Sequence, residues 1–295
     1  MTQRNRKSSS KRKRSGPTAR NSQALAVRSP KKSLRAELAL LREVAVAAEG
    51  AIRVTPDASD RLVRFDLEIL MRGSNSLKAM MVLLEQGYWE HAVAIVRQLF
   101  ELLVNMEHLA QQEDREAGAL LFARYGMLQM IQAHHRRLTY EKDTGRQVDE
   151  ELFAQLGWWL ENEFTDFRAK TKNDSVKWVS SWCRQTALDL AKASSDSMRV
   201  NQYNILYRVW SEEVHAAPGA LISNMFRDVE DGWVERTVSE NERRSREAAF
   251  LGVAFFLALW MQLPHVEKSV QRIQGWLQQM SRAYGGPDLP DPPSV

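Results

Sequence analysis

From residue 34 onward the apolar positions recur at a spacing of three and four, the signature of helices that bury one face. Ser33 is placed to cap a first helix whose Leu34, Leu38, Leu41 and Ala45 form a stripe ending at Gly50. Ser59 or Asp60 caps a second, with Leu62, Phe65, Ile69 and Leu70 inward and Gly87 as its stop. A long apolar helix follows over 88–112. Another runs over 114–140 through Leu120, Leu121, Tyr125, Leu128 and Ile131, halted by Lys142-Asp143-Thr144-Gly145. Two further helices are predicted over 149–168 and 174–192, and a seventh from Met198 to His215, closed by Ala217-Pro218-Gly219 because proline cannot continue a helix. Residues 226–239 carry the weakest helical pattern, with a short extended piece over 234–238. Residues 248–263 are almost uncharged, too short for the roughly 20 residues a membrane span needs, and fit a helix buried on all sides. A final amphipathic helix reaches about Tyr284. The pattern predicts an all-α bundle of eight or nine helices in one domain over 34–284, with disordered ends at 1–33 and 285–295.

Charge divides the chain sharply. Residues 1–36 hold twelve Lys or Arg and no acid, leaving 29 basic against 37 acidic residues beyond them, so a net charge of +4 conceals a basic tail on an acidic body. The tail, with Lys7, Lys11, Arg12, Lys13 and Arg14, has too little apolar surface to fold alone, and its natural partners are polyanions, nucleic acid among them. A solubilising extension with no dedicated partner fits the same composition. No apolar run follows these basic residues, so the segment does not read as a secretory signal. Cys183 is the single cysteine, which excludes an internal disulfide or Cys-based zinc site and suits a cytoplasmic protein. Set in a stretch read as helical, it fits a small core residue.

The candidate chemistry lies in Tyr207-Arg208-Val209-Trp210-Ser211-Glu212-Glu213-Val214-His215. At about 100° per residue, Arg208, Ser211, Glu212 and His215 share one helical stripe. A guanidinium can hold a phosphate bidentately while a neutral imidazole takes a proton from a hydroxyl, with no metal or cofactor needed. The same residues also fit an ordinary Arg208–Glu212 ion pair and a histidine at a helix end. Glu212-x-x-His215 resembles half of a di-iron helix element, but no second copy of it occurs in the chain. Earlier, Arg97 and Glu101 interrupt an otherwise apolar helix at i,i+4 spacing. They read as a buried pair that fixes register, or as a second polar face where Glu101 orients an Arg or His of the later helix.

Together, Arg97-x-x-x-Glu101 and Tyr207-Arg208-x-x-Ser211-x-x-x-His215 resemble the bacterial domain-of-unknown-function family 5677, over about residues 60–280. The later motif also looks like the Arg-x4–6-His signature of HEPN domains, helical modules that often dimerise and include metal-independent endoribonucleases of toxin and phage-defence systems. The resemblance implies a HEPN-like core with His215 as general base toward the ribose 2′-hydroxyl, Arg208 as phosphate holder and Ser211 as auxiliary hydrogen-bonding group. Arg97, Glu101, Tyr207 and Glu212 would support them, in a composite site formed where two copies of the motif helix face each other. The alternative is a non-catalytic helical interaction module, tethered to nucleic acid or another partner by the basic tail.

Overall fold

The structure, a computed structural model, describes residues 34–55, 59–170, 175–211 and 233–283, with the backbone alone for 233–239. Nine α-helices appear among the described residues: α1 (Arg35–Val54), α2 (Arg61–Glu85), α3 (Trp89–Ala110), α4 (Arg115–Asp143), α5 (Glu150–Asn162), α6 (Ala187–Ala193), α7 (Arg199–Asn204), α8 (Trp233–Met261) and α9 (Val270–Ala283). The fold is an all-α bundle. Its one sheet among these residues is an antiparallel pair, β1 (Arg168–Lys170) with β2 (Val176–Trp178), in the register Ala169 opposite Lys177.

Side-chain caps and glycine stops set the long helices as local chemistry dictates. The Asp60 and Asp114 carboxylates accept from the backbone N–H of Leu62 and Ala117, satisfying donors that a first turn leaves free. At the C-terminus of α2, Gly87 has φ +76, its N–H donates to Leu84 O, and the Tyr88 N–H donates to Leu83 O. Gly145 closes α4 in the same way, with φ +75 and the Arg146 N–H donating to Glu141 O. Only glycine adopts that left-handed conformation without strain.

Packing overrides the local signals at several places. α1 runs through Gly50 to Val54, because Ala51 is buried and Thr55 ends the helix by donating both its N–H and its hydroxyl to Ala51 O. Ser33, the predicted cap, lies outside the described residues. The helix predicted over 149–168 stops at Asn162 and gives way to a 3₁₀ turn at Thr165–Phe167. Most of the helix predicted over 174–192 is absent: Val176 and Trp178 enter β2, where branched and aromatic side chains fit a pleated surface. Cys183 therefore sits in a turn before Arg184, which has φ +60, and it packs half-buried against the main core. α6 starts only after Thr186, whose hydroxyl forms a reciprocal capping box with Asp189. Residues 234–238, predicted extended, lie inside α8, whose following turns carry the ion pairs of Glu240, Arg243, Arg244 and Glu247.

The main core joins α1, α2, α3 and α8 around Leu70, Leu77, Met80, Phe100, Leu103, Phe255 and Phe256, all fully buried. α8 lies so close to α2 that a Cβ on Gly73 would stand 2.9 Å from the Phe256 ring. The apolar run of 248–263 is spent on this core, and among the described residues no helix is long and apolar enough to cross a membrane. A second cluster, Leu128, Ile131, Leu138, Leu156, Phe164 and Phe167, holds the far half of α4 against α5 and the 3₁₀ turn. Leu121 and Tyr125 pack against both clusters, while Trp182 fastens α4 to α3: its ring meets Phe122 and His108 edge-on, and its indole N–H donates to Asn105 Oδ1 at 2.5 Å. Leu120, grouped with the inward residues of α4 by its sequence, is instead half exposed.

Candidate functional site

The motif helix is not continuous. α7 ends at Asn204 and Ile205–Val209 wind as a π turn, with the Trp210 N–H donating to Ile205 O at 2.9 Å. Leu206 and Trp210 are buried and hold both ends of this turn against the core. A π turn takes more residues per turn than an α-helix, so the 100° step assumed from Arg208 onward does not carry through it. Arg208 is exposed and makes no ion pair or hydrogen bond among the described residues, while Ser211 is half-buried. Glu212 and His215 lie outside the described residues, as do Lys7, Lys11, Arg12, Lys13 and Arg14 of the tail.

Arg97 and Glu101 do meet the motif segment, through Tyr207. The Arg97 guanidinium lies 3.8 Å from the centre of the Tyr207 ring, its Nε stands 3.3 Å from Glu101 Oε1, and the Tyr207 hydroxyl donates to that same carboxylate oxygen. Tyr203 stacks on the other side of Tyr207 at 4.3 Å. Arg208 takes no part in this clamp. Among the described residues Glu101 thus holds a tyrosine and not the Arg or His of the later helix that was expected. Nor is the pair buried: Arg97 is 25% and Glu101 46% exposed.

Burial and the Glu101 charge both raise the Tyr207 phenol well above its ordinary pKa, since each disfavours a phenolate; Arg97 opposes them weakly. Burial works against the Arg97 cation, yet Tyr207 and Glu101 together raise its pKa. Near neutral pH this constellation is a fixed phenol donor, a carboxylate and a guanidinium. It positions the segment and leaves Arg208 facing outward.

Sequence reasoning missed the most deeply buried polar groups. Arg199, at the start of α7, grips Glu107 of α3 through Nη2 at 2.7 Å and Nε at 3.0 Å, with both side chains under 10% exposed. Ser194 donates to the other Glu107 oxygen, and Arg199 Nη1 reaches Gln202 and Asp196. Asp66 of α2 is fully buried and accepts from Arg115 at 2.5 Å and from the His265 backbone at 3.1 Å, with His265 Nδ1 2.8 Å away. Nearby, Lys268 donates to Met261 O and Leu263 O, and burial lowers its pKa although Asp66 opposes the shift. The available signal was an acid on the buried face of an apolar helix. Its partner, 92 residues away for Glu107 and 199 for Asp66, had no signal.

Residues 67–232 match the family of unknown function DUF5677, more than half of the chain's 295 residues. The chain belongs to this family. The matched stretch is narrower than the 60–280 expected: it takes in Arg97, Glu101, the π turn and the whole of Tyr207 to His215, and stops before α8. No curated protein and no solved structure matches the chain.

Proposed function

We propose that this protein is a metal-independent endoribonuclease of the toxin or phage-defence type, with RNA as substrate and a second copy of the chain completing a composite site. One observation carries the reading: Arg208 is exposed and unpaired among the described residues, on a π turn whose neighbouring Tyr207 is fastened by Arg97 and Glu101. Arginines at helix surfaces commonly pair at i±3 or i±4. Among the described residues its i−4, i−3 and i+3 neighbours, Asn204, Ile205 and Ser211, carry no charge, and an exposed guanidinium can receive a phosphate bidentately. π turns also recur at functional sites. In the proposed step His215 removes the proton from a ribose 2′-hydroxyl, O2′ attacks the phosphorus, and the P–O5′ bond breaks. The products are a 2′,3′-cyclic phosphate and a 5′-hydroxyl, whose oxygen takes up a proton. Arg208 neutralises the phosphate, and Ser211 supplies a hydrogen bond.

The test incubates single-stranded RNA in EDTA with the wild type, Arg208→Ala and His215→Ala, with circular dichroism to verify folding. Cleavage by the wild type and its loss in both variants is the expected result. Intact RNA with the wild type, or undiminished cleavage by either variant, overturns the reading and favours the interaction module, in which the clamp merely fixes α7 on α3. The basic tail belongs to the same proposal as a sequence-independent RNA tether. If six to ten phosphates are neutralised, affinity falls by roughly 10³–10⁵ between 50 and 200 mM salt, and deleting residues 1–33 flattens that slope.

A further inference from the structure

α4 is apolar on two faces. Leu121, Tyr125, Leu128, Ile131 and Leu138 turn inward to the two clusters, yet Leu120, Met127 and Met130 are 49%, 53% and 69% exposed. With exposed Ala123 and His134 they occupy positions 120, 123, 127, 130 and 134, an alternation of three and four that makes a straight seam along a helix. The same spacing extends to exposed Glu116 at one end and exposed Arg137 at the other. No described element covers this seam. Gly126 adjoins its centre, where an added Cβ would meet nothing within 4 Å. Glycine weakens a helix interior relative to alanine, and nothing within the described chain requires it there.

From this pattern we infer that α4 is a self-association surface, on which a second copy packs its own α4 antiparallel about a two-fold axis passing beside Met127. The pattern is self-complementary under that operation, as an isologous contact requires. Met127 meets the partner's Met127, and small Ala123 faces the partner's larger Met130. Leu120 covers the partner's His134. Glu116, which makes no ion pair or hydrogen bond among the described residues, reaches the partner's Arg137. Arg137 holds Glu141 through Nε alone and is 74% exposed, so its outer N–H groups are available for a second carboxylate. A parallel arrangement would set Glu116 beside Glu116 and Arg137 beside Arg137, which like-charge repulsion disfavours. Gly126 then has a reason, because a helix crossing at its level approaches closely where no side chain intervenes. The surface does not use Arg208: a monomeric wild type would count against the composite site as well, whereas the response to the lysines and to cysteine at 127 or 130 bears on this surface alone.

Sedimentation equilibrium of the full chain tests the contact, together with cysteine cross-linking in a Cys183→Ser background. The wild type should dimerise at micromolar concentration. Met127→Lys with Met130→Lys should raise the dissociation constant by at least about 100-fold, with the helical circular dichroism unchanged. Met127→Cys should form a disulfide-linked dimer on mild oxidation, whereas Met130→Cys alone, two turns from its own copy across the axis, should not. A wild type that remains monomeric at about 100 μM, a dimer indifferent to the two lysines, or cross-linking as rapid through position 130 as through 127 would each overturn the inference.

Discussion

Two ion pairs anchor the segment that follows β2 to α3, Glu107–Arg199 directly and Arg97–Glu101, both within α3, through Tyr207, and they are built oppositely. Glu107 and Arg199 are under 10% exposed, bound through two guanidinium nitrogens, with Ser194 and Gln202 satisfying the remaining polar atoms. Arg97 and Glu101 touch through one nitrogen at 3.3 Å and are 25% and 46% exposed. The buried pair locks the start of α7 onto the core. The half-exposed one, through Tyr207, steadies a π turn on which Arg208 is exposed. A buried pair is costly to break because it strands a charge, whereas a screened one contributes little by itself. The contrast places rigidity at the base of the motif segment and exposure at Arg208.

The largest effect should come from breaking the buried pair. Arg199→Ala leaves the Glu107 carboxylate buried and should lower the unfolding free energy by about 3–5 kcal/mol, read from urea denaturation. A double variant, Glu107→Leu with Arg199→Met, should recover most of that loss, since neither charge then remains unpaired. At the other pair, Arg97→Ala should cost about 1 kcal/mol, the sum of a screened ion pair and a partly exposed cation–π contact. Equal losses for Arg97→Ala and Arg199→Ala would erase the distinction.

A smaller effect concerns pH. The Tyr207 pKa is raised in the folded protein, so its contribution to stability is complete below the ordinary phenol value of 10.0 and is lost as pH climbs through the higher folded value. Tyr207→Phe should therefore flatten the alkaline decline of stability above pH 10, and in the wild type one tyrosine should titrate above its fellows in ultraviolet difference spectra. An unchanged alkaline limb in the variant would show that the phenol is not held by Glu101. The smallest effect belongs to Glu49 and Lys78, which join α1 to α2 at the surface. Hydrogen bonding and the charge of Lys78 lower the Glu49 pKa, so this contribution is present above the carboxyl's ordinary 4.5 and disappears as pH falls below it. Lys78→Met should leave the melting temperature at neutral pH within error; a clear drop would place this surface pair among the structural ones.

Much of the architecture was legible because its causes are local. Asp60, Asp114, Gly87 and Gly145 act within four residues of themselves, and the helical period of α2, α3 and α4 needs only neighbouring positions to be recognised. The same local reading failed where distant contacts decide. Val176 and Trp178 pair with a strand, Gly50 is carried through by the packing of α1, and the π turn depends on Leu206 and Trp210 both reaching the core. The candidate site divides likewise. Arg97 and Glu101 stood out as charges in an apolar run, and their meeting with the Tyr207 segment followed that lead. That Tyr207 rather than Arg208 is the residue they hold required the phase of the π turn.

By itself the sequence determined that this chain forms a helical bundle, where its long helices begin and end, and which charged residues interrupt apolar faces, because each follows from spacing and from side chains acting on adjacent backbone. Only the tertiary structure decided which of those charges are buried and with whom. Glu107 finds Arg199 across 92 residues and Asp66 finds His265 across 199, because folding brings distant segments into a low-dielectric interior where an unpaired charge is too costly to keep.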